Sequence, residues 1–171
     1  MFLDFLKKFL LKRKLKSGLL SVTGDYSAEK IKTVGVIIDE TYFNGKEQLL
    51  KELIEKGLEE QNITLLLYHD KNKKRDTKFT SFSLKNVSWA GVIGDQEVKD
   101  FKARTFDLLI SYYDVEKAPL LLVTQRSKAA FKVGFSTVDK RVNHFIIQTT
   151  AEDSSVFIEE LFKYLRILNK L

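Results

Sequence analysis

Acidic side chains stand where the apolar runs of this chain stop. Asp39 and Glu40 follow one run, His69 and Asp70 a second, and Asp114 follows Tyr112 and Tyr113; Asp95 closes a shorter apolar stretch. Carboxylates brought to one edge could hold a divalent cation through oxygen ligands, or act as acid and base on a substrate. An aspartate in such a place also caps the turn or helix that follows a strand, so the pattern admits a structural role as readily. Tyr112 and Tyr113 could stack on a ligand at that edge, or sit half-buried as strand tyrosines do.

The familiar catalytic patterns are missing. His69 and His144 are the only histidines, neither belongs to an H-x-H or H-E-x-x-H pair, and no serine sits in G-x-S-x-G. Gly45-Lys46 lacks the earlier glycine and the following Ser/Thr of a phosphate-binding loop, and the acidic start of that segment repels phosphate. Gly91 and Gly94 have the spacing of a KH loop without a clear helix before them, and read as turn glycines. With no cysteine, disulfides, thiolate metal sites and cysteine nucleophiles are excluded. The sequence therefore calls for no cofactor and no metal site, and it names no reaction.

The net charge of +6 gathers in two short segments. Lys7, Lys8, Lys12, Arg13, Lys14 and Lys16 oppose Asp4 in residues 1–17, and Lys71, Lys73, Lys74, Arg75 and Lys78 oppose Asp76 in residues 71–78. The remainder is mildly acidic, so the positive charge speaks to a partner surface and not to the fold. Arg126, Lys128 and Lys132 form a milder basic group, expected as the solvated face of one helix.

Periodicity predicts the elements that must position these residues. Phe2, Phe5, Leu6 and Phe9 recur at helical spacing with Leu3 and Leu10 on the flank, while Lys7, Lys8, Lys12 and Lys14 fall on the other side. Leu11 breaks that polar side, and Ser17-Gly18 supplies a stop. Residues 1–17 are thus a basic amphipathic helix, 18–32 a linker, and 33–171 a single α/β domain. Apolar runs at 33–39, 63–68 and 106–112 predict strands covered on both faces. Between the first two, spacing over 44–61 predicts a helix with Asn44 as N-cap and Leu49, Leu50, Leu53, Ile54 and Leu58 as its buried stripe. Residues 79–93 read as short strands around Trp89, 97–104 as a short helix, 120–130 mostly as helix, and 131–135 and 144–148 as strands. A terminal helix follows with Phe157, Leu161, Tyr164, Leu165 and Leu168 on one face, opened by a capping box of Thr149 with Glu152 or Thr150 with Asp153. Strands alternating with helices imply right-handed crossovers and a mainly parallel sheet: an α/β three-layer sandwich of Rossmann-like kind, plus the N-terminal helix.

The stretches TVGVIIDE, FDLLISYY and SKAAFKVGF, followed by NHFIIQ and a Leu/Phe-rich terminal helix, resemble an uncharacterised family of small α/β proteins from Bacteroidota. That resemblance implies fold and source and no mechanism. A looser likeness is to the N-terminal half of heptosyltransferase-type GT-B glycosyltransferases, whose nucleotide-sugar domain has no counterpart here.

Three functions are weighed. The first is a non-enzymatic accessory protein whose basic segments meet an acidic protein or an anionic membrane surface through Phe2, Phe5, Leu6, Lys7, Lys8, Phe9, Lys12, Arg13 and Lys14, with Lys73, Lys74 and Arg75. The second is RNA or ribosome binding through the same lysines. The third is a small-molecule or sugar-nucleotide enzyme or sensor with a crevice at Asp39, Glu40, His69, Asp70 and Asp114. No run of 18 apolar residues predicts a membrane span, and the N-terminus lacks the separate apolar region of a secretion signal. A cytoplasmic protein, peripheral to the inner membrane through its helix, is expected.

Overall fold

The computed structural model of the chain describes residues 2–22, 30–70 and 78–171. Among them, β1 (Val34–Asp39), β2 (Ile63–His69), β3 (Thr80–Ser83), β4 (Leu108–Tyr112), β5 (Phe131–Phe135) and β6 (Phe145–Ile147) form one sheet in the order β3-β2-β1-β4-β5-β6. Every pairing in it is parallel. Val34 pairs with Ile63 on one side and Leu108 on the other, which centres β1. All residues of β1 and β4 are buried, as central strands of a doubly covered sheet must be. The chain builds outward from β1 through β2 to β3, then returns to set β4 on the opposite flank of β1. This reversal is where ligands gather in sheets of this kind, outside the carboxyl ends of the strands.

Helices α1 (Phe2–Gly18), α3 (Gln96–Ala103) and α4 (Ala118–Arg126) share one face with Ile37, Leu66, Phe82 and Leu109. Helices α2 (Lys46–Glu55) and α5 (Ser154–Ile167) cover the other, over Val36, Leu67, Ile110 and Val133. The result is the three-layer α/β sandwich the alternation implies. Each Leu or Phe so buried stabilises the fold by about 1.5–3 kcal/mol, so the two layers dominate its energetics.

Local chemistry corrects several expectations. Helix α2 is shorter than its apolar spacing suggests, because Gly57 takes φ +107° and ends it. Leu58 N–H then donates to Leu53 O at 3.3 Å and Gly57 N–H to Ile54 O at 2.9 Å, a paired C-terminal closure that leaves Leu58 buried without extending the helix. Leu49 and Leu53 are buried as expected, while Leu50 and Ile54 are half-buried. Asn44 lies outside α2; Gly45 occupies the N-cap and offers no side-chain bond. Neither capping box forms before α5, whose N-cap is Asp153 without a side-chain bond; Asp153 N–H instead donates to Thr150 O at 3.1 Å in a turn. On α5, Phe157, Leu161 and Leu165 are buried, Tyr164 is half-buried, and Leu168 lies past the helix end, exposed.

The third basic group does not share a helix face. Arg126 ends α4 and donates to Gly91 O at 2.9 Å, where Gly91 turns with φ +79°. Lys132 belongs to β5, is buried, and donates from Nζ to Thr124 O at 2.8 Å and Gln125 O at 3.3 Å. These carbonyls are among those a helix C-terminus leaves without intrahelical partners. Burial pushes the Lys132 ammonium down to about 8. His144 Nδ1 accepts the Lys132 backbone N–H at 2.9 Å, and burial, with the Lys132 charge beside it, holds the imidazole at about 4.

Candidate functional site

Helix α1 packs on α4 through the side that carries most of its lysines. Leu11, the residue that interrupts the polar side, is the one buried residue of the helix, and Leu15 packs beside it on the same core. Around these anchors the lysines turn toward the body. Lys7 Nζ donates to Leu84 O at 3.1 Å, Lys8 pairs with Asp70 at 3.3 Å, Lys12 with Glu116 at 2.9 Å, and Lys16 with Glu116 at 2.8 Å. Leu84, Asp70 and Glu116 follow β3, β2 and β4. The helix is therefore laid across the carboxyl edge of the sheet. Burial alone would raise the Glu116 carboxyl; the Lys16 and Lys12 ammoniums outweigh it and hold Glu116 below the usual carboxylate range. The Arg141 guanidinium, aided by the Lys16 charge, holds Asp139 lower still, at about 2.

The apolar stripe consequently faces outward. Phe2, Leu3, Phe5 and Phe9 are 74%, 66%, 69% and 55% exposed, and Leu10 is exposed beside them; Leu6 is half-buried. Trp89, also exposed, shares a shallow hollow with Leu10, Arg13 and Lys14.

The acidic strand ends are neutralised by lysines. Lys117, the residue before α4, reaches Asp39 at 2.6 Å and Asp70 at 3.2 Å, bridging the ends of β1 and β2. Lys46 meets Glu40 at 2.6 Å, and His69 Nε2 lies 3.2 Å from the other Glu40 oxygen. Buried charges are costly unless paired in this way. Tyr68 donates to Asp70 at 2.9 Å, and burial together with that carboxylate pushes the phenol above its ordinary range. Among the described residues no group of three or more His, Cys, Asp or Glu side chains is placed to share a metal ion.

A cavity of about 450 Å³ opens at the reversal between β1 and β4, on the flank away from α1. Asp39, Tyr42, Phe43, Tyr112, Asp114 and the loop Thr150–Glu152 line it. Tyr112 packs its ring 4.9 Å from Phe43 and 5.1 Å from Phe157, and donates to Ala151 O at 2.7 Å. Asp114 accepts the Ala151 N–H at 2.9 Å. The loop is thus held by both its carbonyl and its amide.

With this geometry in place, comparison supplies a family. A family model described as Family of unknown function (DUF6913) matches residues 7–168. The chain belongs to that family. The match takes in the docking residues of α1, the whole sheet and α5, so helix and sandwich belong to one family unit. No curated protein and no solved structure matches the chain.

Within this member of the family, the predicted crevice residues divide. Asp39 and Asp114 line the cavity, whereas Asp70 is paired with Lys8 of α1, and Glu40 with His69 and with Lys46 at the start of α2. Of the helix residues, Phe2, Phe5, Phe9, Arg13 and Lys14 are exposed, while Lys7, Lys8 and Lys12 contact the body. Lys73, Lys74 and Arg75 lie outside the described residues. Sequence reasoning missed Lys117, Tyr42, Phe43 and the Thr150–Glu152 loop. Pro119 marked the start of α4 and so hinted that Lys117 stands at a strand-to-helix mouth; nothing comparable pointed to the loop after β6.

Proposed function

We propose that this protein is a non-enzymatic accessory that seats on an anionic membrane surface through α1, with the sandwich as a rigid platform. The observation that carries the reading is the outward ridge of Phe2, Leu3, Phe5, Phe9 and Leu10 on a helix whose other side is already bonded to the body. A surface helix ordinarily buries such a stripe. Here the stripe is continued by Arg13, Lys14 and Trp89, the combination of apolar, cationic and amphipathic aromatic side chains that suits the boundary between headgroups and acyl chains. Among the described residues no helix is long and apolar enough to cross a membrane, so the reading is of lying on the surface and not spanning it. It places the protein at the cytoplasmic face. A sugar nucleotide at the strand ends is disfavoured, because the carboxylates there oppose its phosphate chemistry.

The test is co-sedimentation with phosphatidylglycerol-containing vesicles, for the wild type and for the double variant Phe5→Ser/Phe9→Ser. Saturable binding that the double variant weakens by about tenfold or more, at unchanged melting temperature, supports the reading. Absence of vesicle binding, or binding that ignores the substitutions, sinks it. Binding to RNA with a steep salt dependence would move the reading to nucleic acid.

A further inference from the structure

We infer that the cavity between the ends of β1 and β4 is a binding site for a small organic cation, an ammonium group carried on an aromatic or short apolar body. Its volume, about 450 Å³, falls within the usual range of small-molecule sites, and it sits at the sheet's reversal, where ligands of parallel sheets are held. The chemistry of the lining selects the ligand class. Three carboxylates, Asp39, Asp114 and Glu152, face it with the rings of Tyr42, Phe43 and Tyr112, and among the described residues no lysine, arginine or histidine lines it. Carboxylates beside π-faces are the paired attractions that an ammonium takes and a phosphate refuses.

The protein already uses this chemistry at the cavity's rim. The Lys117 ammonium lies 4.6 Å from the centroid of the Tyr42 ring while pairing with Asp39 at 2.6 Å. Because that pair partly satisfies Asp39, the charge left for a ligand is carried by Asp114 and Glu152. Asp114 is held in place: its carboxylate takes the Ala151 N–H at 2.9 Å, and its backbone carbonyl takes the Thr137 hydroxyl at 2.7 Å. Tyr112 clamps the facing loop from below through Ala151 O. A carboxylate positioned before the ligand arrives loses little ordering entropy on binding. The apolar body of the ligand would lie against Phe43 and Tyr112, and its ammonium would point to Asp114.

Titration calorimetry on the full chain tests the assignment, with phenethylammonium and tetramethylammonium as probes. 2-Phenylethanol and phenylacetate are the neutral and anionic counterparts, and AMP is the phosphate control. Saturable binding of at least one cation is expected, with both counterparts weaker by about tenfold or more and AMP not binding, since a bond to a charged group is lost. Asp114→Asn should weaken the cation by about tenfold on the same ground, and Tyr42→Ala by severalfold through loss of the ring. If Asp114→Asn fails to fold, the exposed Tyr42 and the cation-against-alcohol contrast decide. Failure of both cations to bind overturns the assignment, as does equal binding of 2-phenylethanol or wild-type affinity in both variants. None of these outcomes depends on vesicle binding, so this site and the membrane reading stand or fall separately.

Discussion

Helices α1 and α5 carry similar apolar stripes and dispose of them in opposite ways. On α5, Phe157, Leu161 and Leu165 enter the core beside Phe135 and Tyr112, and the charged residues go to water. On α1, Leu11 and Leu15 alone enter the core, four lysines bond the body, and the phenylalanines go to water. A 3.6-residue period tells that a helix has two sides; which side faces home depends on what the body offers. Here the body offers Asp70, Glu116 and the Leu84 carbonyl along one edge, and a row of lysines answers it.

Substitutions can break this contrast, beginning with α5. Phe157→Ala removes a fully buried ring and should cost about 3–5 kcal/mol, read as a lower urea midpoint for the whole molecule. Leu11→Ala should cost about 2 kcal/mol or more, but locally: trypsin should cut α1 sooner while the midpoint of the sandwich moves less. Acid should separate the two helices without mutation. Glu116, Asp70 and Asp139 titrate below their ordinary values in the folded state, so the stability they give is present above the usual carboxylate range and is lost as pH falls through their folded values, for Asp139 about 2. Hydrogen exchange along α1 should therefore rise between about pH 4.5 and 2, ahead of exchange along α5. If α5 opens first, the ion pairs are not what holds α1. Phe9→Ala, made on an exposed ring, should change folding stability by under about 0.5 kcal/mol while weakening vesicle binding. A large loss of stability in that variant would mean that the ridge is covered by the chain itself.

Much of the sandwich was legible because its signals are local. The apolar runs at β1, β2 and β4 and the stripe of α5 declare themselves within a few residues. The end of α2 was not, since Gly57 sets it through a left-handed turn that outweighs the apolar spacing continuing to Leu58. The burial of Lys132 was not legible because charge usually marks solvent, and only the tertiary approach of β5 to the last turn of α4 gives its ammonium two carbonyls. The cavity was half legible. Asp39 and Asp114 stand at strand ends that the pattern reveals, but Tyr42, Phe43 and Ala151 join them from loops over 100 residues apart in the chain.

Lys117 has a consequence for relatives of this chain. One ammonium serves two carboxylates from neighbouring strands; Asp70 keeps Lys8 and the Tyr68 hydroxyl without it, whereas Asp39 would be left without a counter-ion in a poorly hydrated place. Positions 39 and 117 should accordingly vary as a pair, a neutral residue at 117 travelling with a neutral one at 39. Lineages that keep both would keep the same internal counter-ion, whatever they have done to the helix above it.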